Sequence, residues 1–192
     1  METQDLIELD SLEPGFDIEE AYPLAAECEY VYAILVQAVK QHIVAQEIHR
    51  FFPCRAMNPI LVRRKWARGE YREVKYSLMP GYIFLFSSER MEPARVRNLD
   101  GVLKVLQYDD GAYALTEEDE RLARWLSHYD GTIGISKAIQ VGNQVQVIEG
   151  PMKDNIGQVM KIDKHKRNAR VEFEFCGAVF NMWMSFDWME GN

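Results

Sequence analysis

No stretch of this 192-residue chain approaches the roughly 20 consecutive apolar residues that a membrane-spanning helix needs, so a helical membrane protein is not expected. Cysteine is scarce. Cys28, Cys54 and Cys176 are odd in number and widely scattered, which argues against a disulfide framework and fits a reducing compartment. The opening Met-Glu-Thr-Gln-Asp has no basic stretch leading into an apolar one, so no signal peptide is predicted and the expected location is the cytoplasm. The spacings that carry chemistry are missing too. His42, His49, His128 and His165 stand in no metal-ligand spacing with a cysteine, and there is no glycine-rich phosphate loop, nucleophile elbow or paired-carboxylate signature. The sequence therefore predicts neither an enzyme nor a cofactor or metal site.

What is present is an uneven charge. The formal net charge is −8, but ten of the 30 acids lie in residues 1–29, which hold no Lys or Arg. The rest of the chain carries 20 acids against 22 bases. Between Arg50 and Lys75 stand eight bases (Arg50, Arg55, Arg63, Arg64, Lys65, Arg68, Arg72 and Lys75) and two acids, Glu70 and Glu73. A local positive surface on a nearly neutral body suits nucleic acid without a high isoelectric point, although a solvated hairpin tip would have the same composition.

The periodicities divide the chain. Residues 1–28 are acidic, contain Pro14, Gly15 and Pro23, and read as a flexible extension with a short helix near Ile18–Ala26. Tyr30–Val36 is a short apolar run typical of a buried strand. Lys40–Phe52 places Ile43, Val44, Ile48, Phe51 and Phe52 on one helical face, and Pro53 ends it. Pro59–Trp66 and Val74–Phe86 are β-rich and flank the basic stretch, which becomes a hairpin tip. A short helix at Glu92–Leu99, with Pro93 in its first turn, and a strand at Val102–Gln107 follow. Thr116 then caps a helix whose stripe is Leu122, Trp125, Leu126 and Tyr129. The order β-α-β-β-α-β-α is that of a split βαβ sheet with an added helix. After Gly131 and Gly134 the pattern changes to short strands at Gln144–Glu149, Gly157–Asp163, Ala169–Phe175 and Ala178–Met184, the makings of a small barrel. The predicted fold class is α+β, with a ferredoxin-like first domain at 29–130, a linker at 131–137 and an SH3-like barrel at 138–192.

Two stretches resemble a known family. Pro80-Gly81-Tyr82-Ile83-Phe84-Leu85-Phe86 is similar to the strand signature of NusG amino-terminal domains; Gly101-Val102-Leu103-Lys104-Val105-Leu106 and Ala114-Leu115-Thr116 follow in the expected places. Val141-Gly142-Asn143-Gln144-Val145-Gln146-Val147, continuing through Gly150-Pro151 to Asn155-Ile156-Gly157-Gln158-Val159, resembles a KOW motif. Within it Gly157 marks a turn with little room for a side chain. The resemblance covers roughly residues 30–190. Lys161–Ala169 also resembles the barrel of LoaP, a specialised antiterminating branch.

The resemblance implies a bacterial, monomeric, non-enzymatic regulator. It would bind RNA polymerase through a hydrophobic depression, for which Leu35, Tyr82 and Phe84 are carried over by position, and promote processive elongation and antitermination. The basic tip, Arg63, Arg64, Lys65 and Arg68, would face DNA or the opposite polymerase lobe. Lys161, Lys164, His165, Lys166, Arg167 and Arg170 would hold nascent RNA, a hairpin among the candidates. Two departures stand out. Val31 occupies a position usually held by tryptophan, and Cys176-Gly177-Ala178 replaces a Phe-Gly-Arg turn that serves ribosomal-protein and Rho contacts, which speaks against those two partners. The alternative is a KOW-containing RNA- or ribosome-binding protein without polymerase contact.

Tyr82, Phe84 and Phe86 alternate with Ile83 and Leu85, so both faces of that strand are apolar. If helices cover one face only, the aromatics are left for a partner; if a third helix covers the other, they are core.

Overall fold

The structure, a computed structural model, describes residues 27–154 and 156–189. The expected acidic extension and its short helix therefore lie almost wholly outside the described residues. At their edge Cys28 is already buried, its carbonyl accepting a bond from Arg124 at 3.1 Å. The described chain groups into two units, one of residues 27–59 and 79–131, the other of 60–78 and 132–189.

The first unit is built on β1 (Tyr30–Val36), α1 (Gln41–Phe51) and β2 (Arg55–Met57). With them go β5 (Tyr82–Ser87), α2 (Pro93–Arg97), β6 (Val102–Val105) and α3 (Glu117–His128). The strand order is β2-β5-β1-β6. Both β1 and β2 pair antiparallel with β5, so they run parallel with β5 between them and α1 linking them. That is the split βαβ topology the sequence predicts. One sheet face, with Tyr32, Ile34, Val36, Ile83 and Leu85, packs against Val44, Ala45 and Ile48 of α1 and Val96 of α2. The expected face of α1 needs correction: Ile43 and Phe51 are exposed, and the buried positions are Gln41, Val44, Ala45 and Ile48.

The second unit begins with a hairpin of β3 (Ile60–Ala67) and β4 (Glu70–Ser77), followed by β7 (Thr132–Ile133) parallel to β3. The barrel strands are β8 (Ser136–Val141), β9 (Gln144–Glu149), β10 (Gln158–Asp163), β11 (Asn168–Phe175) and β12 (Ala178–Trp188), in the order β10-β11-β12-β8-β9. Val171, Phe173 and Phe175 point inward with Phe180, Met182, Met184 and Phe186, as the alternation along β11 predicts. A Cβ on Gly157 would stand 2.4 Å from the Glu172 carbonyl oxygen, which accounts for the glycine there. Two features differ from the sequence reading. The expected linker is largely strand, since β7 and β8 use it, and residues 60–78, expected within the first domain, pair with β7 and group with the barrel.

Candidate functional site

Three surfaces follow from these elements. The first is the sheet face opposite α1. In register across β5, β1 and β6, Tyr82, Leu35 and Lys104 form one row; Phe84 and Ala33 form the next, and Phe86 and Val31 the third. Burial increases along these rows. Leu35 and Tyr82 are half-buried and Lys104 is exposed, whereas Phe84, Phe86, Ala33 and Val31 are fully buried. The cause is α3. Leu115, just before it, donates its amide to the Val31 carbonyl at 2.7 Å, and Gly131, just after it, packs on Met57 of β2. The helix therefore crosses the inner rows, burying Leu122, Ala123, Trp125 and Leu126. Of the two readings of this strand the third-helix one holds for Phe84 and Phe86, which are core, whereas the row of Leu35 and Tyr82 reaches the surface.

The Pro80-Gly81-Tyr82 turn that presents this row is held by Gln41, a residue no sequence pattern singles out. Its Oε1 accepts the Gly81 amide at 3.0 Å, and its Nε2 donates to the Tyr82 carbonyl at 2.6 Å. Gly81 sits at φ +86, and a Cβ there would meet the Val36 carbonyl at 2.9 Å. Glycine is required on both counts.

The second surface is the hairpin. Its turn is Arg68-Gly69, so Arg63 and Arg64 lie mid-strand rather than at a tip. Arg63 stacks its guanidinium over Tyr76 at 5.8 Å; burial pulls its pKa below the usual arginine value, and its buried Nε has no hydrogen-bond partner. Arg64 turns to the barrel. Its amide donates to Ser185 Oγ at 3.2 Å, and its guanidinium lies 2.8 Å from Asp187, off the axis of a directed hydrogen bond. Lys65 and Arg68 are exposed.

The third surface is the β10–β11 side of the barrel. Lys161 and Arg170 stand opposite one another, with Trp183 of β12 next in the same row. Like charges directly opposed cost stability, and the buried Arg170 Nε lacks a partner. The turn after β10 carries the remaining cations. Lys164 reaches the Asn143 carbonyl at 2.7 Å, His165 and Lys166 are exposed, and Arg167 approaches Asp187 at 3.8 Å. The Lys166 amide donates to Asp163 at 2.9 Å and, with neighbouring cations, holds that carboxyl below its ordinary range. The structure thus brings all six predicted basic residues to one side of the barrel.

The family model for the KOW motif matches residues 141–174, the stretch from the end of β8 to β11. A "Transcription termination/antitermination protein NusG" of Rickettsia typhi is 26% identical over 156 residues, 80% of this chain and 81% of that protein. The protein of the same name from Rickettsia conorii is 26% identical over 78% of this chain and 79% of its own. This chain is NusG-like, with a KOW motif. A solved structure described as "Domain interaction in Thermotoga maritima NusG" aligns over 81% of this chain and 93% of that one, at 16% identity and a TM-score of 0.49.

In this NusG-like chain the residues that sequence reasoning misses are Gln41, Ser185 and Asp187, whose roles depend on partners distant in the chain. Trp66 and Tyr71 escape it as well, although aromatics interleaved with Arg64, Lys65, Arg68 and Arg72 are themselves a signal. Among the described residues no cluster of three His, Cys, Asp or Glu could hold a metal ion, and no helix is long and apolar enough to cross a membrane.

Proposed function

We propose that this protein binds RNA polymerase and promotes processive elongation and antitermination, making and breaking no covalent bond, while its barrel holds structured nascent RNA. One observation carries the reading above the others. The likeness to two transcription termination/antitermination proteins runs over about four-fifths of the chain and so takes in both units. Binding free energy acts here by shifting the population of polymerase states.

The polymerase surface in this reading is the row of Leu35 and Tyr82, with Phe84 beneath as its support. Half-buried apolar side chains at the open end of an otherwise covered sheet face suit a helical partner. The exposed hairpin cations Lys65 and Arg68 face nucleic acid or the opposite polymerase lobe in this reading, whereas Arg63 and Arg64 hold the hairpin in place. Lys161, Lys164, His165, Lys166, Arg167 and Arg170 take RNA phosphates: an anion would relieve the opposed Lys161 and Arg170. Functionally we divide the chain as 29–130 for polymerase, with the 60–78 hairpin also facing nucleic acid, and 138–192 for RNA.

The deciding experiment is capture of purified core polymerase by the full chain, followed by sequencing of RNA bound in cells. Polymerase capture together with enrichment of one structured leader supports the proposal. RNA enrichment without polymerase capture would replace it with a pure RNA- or ribosome-binding module.

A further inference from the structure

Side chains two apart on a strand share a face, so the side of β3 that turns Arg64 toward Asp187 also carries Trp66. Trp66 lies opposite Tyr71 of β4, ring centroids 4.7 Å apart in an edge-on arrangement. A cross-strand aromatic pair stabilises a hairpin end, which explains the contact. It does not explain the exposure: Trp66 keeps 61% of its surface in solvent and Tyr71 45%. At about 3.3 Å per residue, Trp66 stands roughly 7 Å along the strand from Arg64, whose guanidinium shares the Asp187 carboxylate with Arg167.

The turn adds a second observation. Arg68 and Gly69 both have positive φ, 53° and 85°, as a two-residue hairpin turn of this hand requires. Asparagine or glycine takes the first position without penalty, whereas arginine carries a steric cost. Arg167 in the β10–β11 turn repeats the feature at φ 53°. Each of the two cation-bearing turns thus holds an arginine in a left-handed position.

We propose that Trp66 and Tyr71 form a stacking platform for unpaired RNA bases flanking the structured RNA on the barrel, with Arg68 and Arg167 taking phosphates on either side. This rests on the RNA reading of the barrel given above. Flat apolar bases on an anionic backbone match exposed rings bordered by cations, and aromatic stacking accepts any base. A duplex hides its base faces, so the platform serves an unpaired segment while the barrel serves the structured one.

The test uses the full chain and two RNAs, a blunt hairpin and the same hairpin with an unpaired flank of about six nucleotides carrying 2-aminopurine. The flank should raise affinity about tenfold and its fluorescence should be quenched on binding. Trp66→Ala should lose both effects while blunt-hairpin binding stays unchanged, and Trp66→Phe should keep most of the gain. Equal affinity for the two hairpins with unquenched fluorescence would overturn the proposal, and tighter binding of a DNA flank would overturn the assignment to RNA. If neither hairpin binds, the barrel reading fails on its own, and a free 2-aminopurine strand decides the platform. Quenching abolished by Trp66→Ala would uphold the platform; no quenching would overturn it.

Discussion

Arg64 of β3 sets its guanidinium 2.8 Å from the Asp187 carboxylate of β12, so the basic hairpin and the barrel share an ion pair between residues far apart in the chain. Both side chains are less than a third exposed, at 28% and 29%, which lifts the pair above an ordinary surface contact. A double-mutant cycle of Arg64→Met and Asp187→Asn should give a coupling of about 1 kcal/mol by denaturant unfolding. Hairpin amides should exchange faster in Asp187→Asn than in the wild type. Zero coupling with unchanged exchange would make the pair incidental.

The burial gradient on the sheet face separates two aromatics that strand alternation groups together. Phe84→Ala should cost about 3–5 kcal/mol of stability, because it empties a fully buried site. Tyr82→Ala should stay folded and lose about 2 kcal/mol of polymerase affinity, roughly thirtyfold. Thermal melting and binding to core polymerase, measured on both variants, check this. A Tyr82→Ala protein that binds as tightly as wild type would remove this row from the interface.

Phosphate binding by the barrel makes a prediction about salt. Each phosphate that a variant no longer neutralises should flatten the plot of log affinity against log salt by about 0.7 to 0.9. Replacing Lys164, Lys166 and Arg167 together with Ala should weaken hairpin RNA binding by the full chain and lower the slope by roughly two to three. A wild-type slope near zero would leave a protein as the barrel's partner.

His49 makes the first unit sensitive to mild acid. Its Nε2 accepts the Ala56 amide at 2.8 Å, and burial, with Arg55 nearby, lowers its pKa below 6.5. The unfolded chain therefore takes up the proton first. Stability is full above about pH 6.5 and falls as pH drops toward the folded-state pKa. Between about pH 7.5 and 5.5, His49→Gln should lose less stability than the wild type in denaturant titrations at each pH. Parallel losses would show that other groups carry the dependence.

Features that depend on neighbours along the chain are legible in the residues alone. Alternation along β11 sorted Val171, Phe173 and Phe175 inward, because a pleated strand has a period of two. The stripe on α3 was legible for the same reason at the helical period, and Gly81 and Gly157 marked places where a Cβ meets backbone. The α1 stripe misled at Ile43 and Phe51, since a helix on a sheet buries only the arc it rests on. Which apolar or charged side chains find partners depends instead on contacts between distant parts of the chain. Both faces of β5 are apolar, so nothing in its own sequence says that α3 covers Phe84 and leaves Tyr82 near the edge. Arg64 reads as one cation in a basic run; its attachment to the barrel needs Ser185, 121 residues away, because burial and ion pairing are settled by distance in space.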